Sequence, residues 1–139
     1  MRGFILLIML GVFFTNCKNN KDPEPLPEIA DIAGGWKLTE QKYVSGDSTI
    51  TVDINKAEQK DLFIRYDGVM LYDGSVSCCA VNKYVINGIS FNVVPKEDTP
   101  PANFICDCMP CDELVITQTG DTMTVVYCNA GTSTYTRVK

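Results

Sequence analysis

Seven cysteines and no histidine set the chemistry open to this chain of 139 residues. Without an imidazole there is no Ser-His or Cys-His nucleophile and no histidine-ligated metal, so reactivity rests with the thiols. Cys17 stands apart, directly after an apolar stretch, while Cys78, Cys79, Cys106, Cys108, Cys111 and Cys128 fall in the second half. Outside the cytosol such an even set reads as disulfides, with many connectivities open. A thiolate metal site competes with that reading, because Cys106-x-Cys108-x-x-Cys111 near Cys78-Cys79 offers several soft ligands. The missing histidine and an oxidising compartment weigh against it. A redox pair is weaker still, since no Cys-x-x-Cys here precedes a helix. The expectation is disulfides, with no metal and no cofactor.

Asp107, Asp112 and Glu113 cluster beside the cysteines. Solvated loop charges account for them, and no nucleophile–base arrangement accompanies them. There is no phosphate-cradling glycine loop, no Gly-x-Ser-x-Gly and no carboxylate–histidine metal motif. A binding or interaction protein is expected, not an enzyme. The 12 basic and 17 acidic residues leave a net charge of -5, which argues against nucleic acid as a partner.

Arg2 supplies one positive charge and is followed by twelve uncharged residues, Gly3 to Phe14. That run is shorter than the ~20 residues of a membrane-spanning helix and has the layout of an export signal. It ends at Phe14-Thr15-Asn16-Cys17, and a cysteine just after an apolar core resembles the lipobox of bacterial lipoproteins. The resemblance implies a signal peptide over residues 1–16 and an acylated Cys17 as mature N-terminus. It also implies a location in the bacterial cell envelope, anchored at the outer membrane on its periplasmic side or at the cell surface. Acyl chains contribute about 0.8 kcal/mol per buried methylene, enough for a multiply acylated cysteine to hold a small protein on a membrane. Residues 17–28, charged and with three prolines, read as an extended tether. The folded domain is expected over residues 29–139.

From Trp36 onward, short β-rich runs alternate with turn signals, and no long amphipathic helix is evident. Trp36 to Val44, Thr49 to Ile54, Leu62 to Tyr66 and Val69 to Tyr72 read as strands, with a short helical turn over Asn55 to Lys60. Gly46-Asp47, Asp67-Gly68 and Asp73-Gly74 supply turns, the Asp-Gly pairs suiting type I′. A two-residue turn at Asn87-Gly88 pairs Ile86 with Ile89 and Tyr84 with Phe91. Tyr84, Ile86, Ile89, Phe91 and Val93 then share an apolar face. A turn at Gly120-Asp121 pairs Ile116 with Val125 and Leu114 with Tyr127, leaving Thr117, Thr119, Thr122 and Thr124 on a wet face. Asn129-Ala130-Gly131 makes the last turn. The pattern predicts an all-β, antiparallel up-and-down meander of about eight strands, closed as a barrel.

In the same register Cys128 lies opposite Glu113, which makes Cys111 its diagonal neighbour, so Cys111–Cys128 is the leading disulfide. Cys78 and Cys79 point to opposite faces of a strand, with Cys106 and Cys108 as the remaining candidates. Two such bridges would fasten the long, proline-rich loop from Pro95 to Pro110 over the barrel.

Gly34-x-Trp36 at the start of the first strand resembles the signature of the lipocalins. Trp36-Lys37-Leu38, residues 83–91, residues 113–116 and Tyr135-Thr136-Arg137-Val138 resemble, in the same order, the lipocalin-like domains of short bacterial lipoproteins. The resemblance implies a lipocalin-like barrel with Trp36 buried at its closed end and Arg137 packed over the ring. It further implies a small hydrophobic ligand, held by the inward side chains of Tyr84, Ile86, Phe91, Leu114, Ile116 and Tyr127. The alternative is a barrel filled by its own core, with the loop over residues 95–111 meeting a protein or a glycan.

Overall fold

The period-two pattern becomes ten β-strands in a computed structural model that describes residues 23–55, 61–99, 107–108, 111–128 and 131–139. They are β1 (Gly34–Ser45), β2 (Ser48–Asp53), β3 (Asp61–Ile64), β4 (Met70–Tyr72) and β5 (Ser75–Val76), followed by β6 (Lys83–Ile86), β7 (Ile89–Asn92), β8 (Leu114–Thr119), β9 (Thr122–Tyr127) and β10 (Gly131–Arg137). All belong to one sheet in the order β5-β4-β3-β1-β10-β9-β8-β6-β7, with β2 attached to β1. The sheet is strongly curled, so the fold is all-β and barrel-like. A 3-10 turn at Pro27–Ile29 precedes it.

β1 is the longest strand and is paired on both edges. β10 runs along one edge from Trp36↔Arg137 to Lys42↔Thr132. On the other edge β3 covers Gly34 to Lys37 and β2 covers Glu40 to Ser45. The register against β10 shifts between Leu38 and Glu40, where Thr39 is an extra residue whose hydroxyl donates to the Thr134 carbonyl at 3.0 Å. A bulge of this kind bends a strand and increases its twist, which helps the sheet to curl. Beyond it the β1–β2 hairpin leaves Tyr43, Val44, Ile50 and Val52 exposed.

Alternation does the rest. Leu38, Leu62, Ile64, Met70, Tyr84, Ile86, Leu114, Ile116, Met123, Val125 and Tyr135 all face the concave side and pack in one cluster with Trp36. Burying each large apolar side chain is worth about 1.5–3 kcal/mol. Asn87-Gly88 and Asp73-Gly74 have positive φ at both positions (47° and 88°, 48° and 82°), the requirement of a type I′ turn. The pairs Tyr84↔Phe91, Ile86↔Ile89, Ile116↔Val125 and Leu114↔Tyr127 are all present.

Three details differ from the sequence expectation. β6 and β8 are parallel, with Tyr84↔Leu114, Val85↔Val115 and Ile86↔Ile116 in register, so the meander is interrupted there. Parallel neighbours need a long crossover, and the chain between Asn92 and Leu114 supplies it. Asn87 reinforces the junction, donating its N–H to the Ile116 carbonyl and accepting from the Gln118 N–H on its side chain, both at 2.9 Å. β7 therefore becomes an edge strand, and Ile89 is 67% exposed, not part of the apolar face. At Asp67-Gly68 only Gly68 takes positive φ, at 88°, so this turn is not type I′. A Cβ on Gly68 would sit 2.6 Å from the Phe91 ring, a packing reason for glycine there. The helical turn expected over Asn55 to Lys60 falls mostly outside the described residues, as do the first two residues of the Asn129-Ala130-Gly131 turn.

The floor of the curl is built before β1. Leu26 packs against the core and its N–H donates to the Tyr66 carbonyl at 3.1 Å, so contacts begin three residues ahead of Ile29. Ile29 and Ile32 are fully buried beside Trp36, whose indole N–H donates to the Ile32 carbonyl at 2.7 Å. Arg137 closes this end. Its guanidinium lies 4.2 Å from the Trp36 ring centroid and donates to the carbonyls of Ala33, at 2.9 Å, and Asp31. Arg137→Ala is expected to cost about 2 kcal/mol from the lost cation–π contact and two orphaned carbonyls. Arg137→Lys should recover less than half, because an ammonium cannot stack and fork at once. Urea midpoints of the three proteins check this, and a lysine variant as stable as the parent would contradict it.

Candidate functional site

The concave face holds a partly open cavity of about 960 Å³, lined mostly by apolar atoms. Leu38, Leu62, Met70, Tyr72, Tyr84, Leu114, Tyr127, Ser133 and Tyr135 line its interior. Val81, Val93 and Pro95 border it beside the cysteines Cys79, Cys111 and Cys128. Of the residues expected to hold a ligand, Tyr84, Leu114 and Tyr127 line this space. Ile86 and Ile116 are buried in the core cluster and do not line it. Phe91 packs against Tyr84, ring centroids 6.4 Å apart, and over Gly68.

The buried polar groups of the cavity form a row of hydroxyls, while its charged side chains, Asp61, Asp73, Asp107 and Lys42, are exposed. The Tyr72 and Tyr127 hydroxyls are 2.9 Å apart, and those of Tyr127 and Tyr135 are 3.0 Å apart. Met70 Sδ lies 3.6 Å from the Tyr72 hydroxyl at one end, and Ser133, only 5% exposed, lines the cavity beside the row. Burial pushes the phenols of Tyr72, Tyr84, Tyr127 and Tyr135 above the ordinary tyrosine range, so each stays protonated. Sequence reading missed Tyr72, Ser133 and Tyr135. Their signal was the inward alternation of Met70-x-Tyr72 and Ser133-x-Tyr135, but the strands that bring them together are far apart in the chain.

A further missed residue holds the start of the loop over residues 95–111. Asp67 is fully buried. Its carboxylate takes a forked pair from Arg65, 3.0 Å from Nε and 2.5 Å from Nη2, and accepts the backbone N–H of Lys96 at 2.8 Å and of Val69 at 3.3 Å. Arg65 also donates to the carbonyls of Asp98 and Glu97, and Tyr66 donates to Glu97. The Asp67-Gly68 turn is thus an anchor for residues 96–98. Desolvation alone would raise the Asp67 pKa. The Arg65 bond and the two backbone donors outweigh it and hold the carboxyl below the usual range.

The cysteines border the same cavity. Cys79–Cys108 and Cys111–Cys128 are disulfides, with Cα atoms 5.4 and 5.7 Å apart, and Cys78 is disulfide-bonded as well. Cys106 and Cys17 lie outside the described residues. The sulfurs of Cys78, Cys79 and Cys108 lie within 4.8 Å of one another. Bonded sulfurs are poor donors compared with thiolates, so in this oxidised state the cluster is a fastening for the loop and not a metal centre. Among Asp107, Asp112 and Glu113, Asp107 lines the cavity, whereas Glu113 pairs with Lys83 at 2.6 Å. Comparison with protein-family models, with curated proteins and with solved structures finds no match.

Asp67→Asn, which leaves Arg65 without its counter-charge, is expected to cost about 3 kcal/mol at pH 7. The native carboxyl has a depressed pKa, so its contribution is present above the unfolded value of ~3.9 and is lost as pH falls through the lower folded value. The stability gap between parent and variant should therefore shrink between pH 5 and pH 2. Denaturant midpoints across that range check the sign, and a gap that widened on acidification would contradict it.

Proposed function

We propose that the protein is an envelope lipoprotein, anchored through Cys17, whose lipocalin-like barrel binds a small hydrophobic molecule. The cavity of about 960 Å³ carries this reading. It falls at the upper end of volumes common for small-molecule sites and combines apolar walls with a few convergent polar groups. A barrel filled by its own core would leave no such space. The buried polar groups are protonated phenols, which hydrogen-bond a ligand more readily than they attack one, so the protein acts as a binder and not as an enzyme. The anchored loop start and the disulfides beside the cavity suit a semi-rigid rim that admits a ligand without opening the sheet.

A tether of charged and proline-rich residues after Cys17 fits such an anchor, since it would let the barrel stand clear of the bilayer. On the outer membrane the barrel would hold its ligand close to the lipid surface.

The neutral, apolar dye N-phenyl-1-naphthylamine, bound by the purified barrel, tests the reading. Saturable fluorescence enhancement at one dye per protein is expected, weakened at least tenfold in Val81→Trp, which fills the space from its margin while retaining the parental melting profile. Enhancement that is linear in dye, or unaffected by the filled cavity, would sink ligand binding there. In the same cells, radiolabelled fatty acid should mark the parent and spare Cys17→Ala.

A further inference from the structure

The cavity carries information about the head of its ligand as well as its tail. Its hydroxyls form a continuous chain, Tyr135–Tyr127–Tyr72, ending against Met70 Sδ. Each of these three groups has one proton, and the two oxygen–oxygen links between them use two. The third proton goes to a thioether, a weak acceptor, or remains at the Tyr135 end, depending on the direction of the chain. One donor thus lacks a strong acceptor inside an apolar cavity, and the phenol oxygens keep lone pairs to accept with.

Charge points the same way. Ionised side chains along the cavity are Asp61, Asp73, Asp107 and Lys42. Three of these are carboxylates, of which Asp61 is paired with Lys37, and the one ammonium is already 2.9 Å from Glu40, so no unpaired cation lines the described cavity. The deep wall, where the hydroxyl chain lies, is made of neutral groups. An anionic head placed there would lose its hydration and gain no cation to offset the loss. A neutral oxygen faces no such penalty and supplies the acceptor that the chain lacks.

We infer that the cavity selects an uncharged amphiphile, one whose hydroxyl, carbonyl or ester oxygen joins the Tyr72–Tyr127–Tyr135 chain, over the same aliphatic tail ending in a carboxylate. This rests on the ligand-binding reading above and adds the chemical class of the ligand. The two can fail separately.

The experiment is competition against bound N-phenyl-1-naphthylamine by 1-decanol and by decanoate at pH 7.5, with parent and Tyr127→Phe. In the parent, decanol should displace the dye at a concentration at least tenfold below that of decanoate. Greater hydrophobicity favours the alcohol in any apolar pocket, so the variant decides. Removing the middle hydroxyl breaks the chain, and the preference for decanol should shrink at least fivefold. Tyr72→Phe, which removes a terminal phenol, serves as the second variant should Tyr127→Phe lose its melting transition. Equal displacement by decanoate, or a preference for decanol unchanged in the folded variants, overturns the neutral-head assignment while leaving the cavity intact. Failure of the parent to bind the dye at all would instead remove the ligand-binding reading.

Discussion

The double pairing of β1, with β10 along one edge and β3 and β2 along the other, forces the first and last strands of the domain together. The bulge at Thr39 bends β1 and increases its twist, which supplies part of the curl of the sheet. The curl then decides which face of every other strand is inside. Trp36 lies where β1, β3 and β10 meet, and Arg137 lies directly across from it in register. The cation over that ring also caps carbonyls of the segment leading into β1. The same few residues thus seal one end of the curl, and the cavity develops away from them.

Inside that cavity the polar groups are placed so that little charge is buried. Phenols offer hydrogen bonds at neutral pH, and each other's hydroxyls satisfy most of their donors. Asp67, which does not line the cavity, is a fully buried carboxylate, and it is matched by a forked guanidinium and two backbone donors. Because one of those donors belongs to Lys96, the ion pair holds the chain as it leaves β7. The disulfide from Cys79 to Cys108 fastens the far part of the same crossover. The crossover is also what makes β8 parallel to β6. One segment therefore sets both the topology of this half of the sheet and the rim of the cavity.

The hairpins were legible in the sequence because a two-residue turn leaves no freedom of register. Asn87-Gly88 and Gly120-Asp121 therefore gave the pairs Tyr84↔Phe91 and Leu114↔Tyr127 from composition alone. The Cys111–Cys128 bond follows from that same register. Register stops at the hairpin, however. Nothing local says that β4 reaches across to β9, so the meeting of Tyr72 with Tyr127 was hidden. Nor does a local pattern say which hairpin strand lies at the edge, and Ile89, apolar and in phase with Ile86, is exposed for that reason alone. Asp67 was masked by its own type, since Asp-Gly is so common a turn that its side chain drew no notice.

The central claim is that ligand enters the concave face and touches the buried phenols. The chain has six tyrosines, which makes ring-labelled tyrosine a direct reporter. Tyr72, Tyr84, Tyr127 and Tyr135 line the interior of the cavity and Tyr43 its exposed margin, while Tyr66 is bonded to Glu97 at the start of the crossover loop and does not line it. NMR spectra of ¹³C-tyrosine protein, titrated with N-phenyl-1-naphthylamine, should show saturable shifts at those four rings with Tyr66 unmoved. Shifts confined to Tyr66, with the four cavity rings unmoved, would place the contact on the loop and contradict the account.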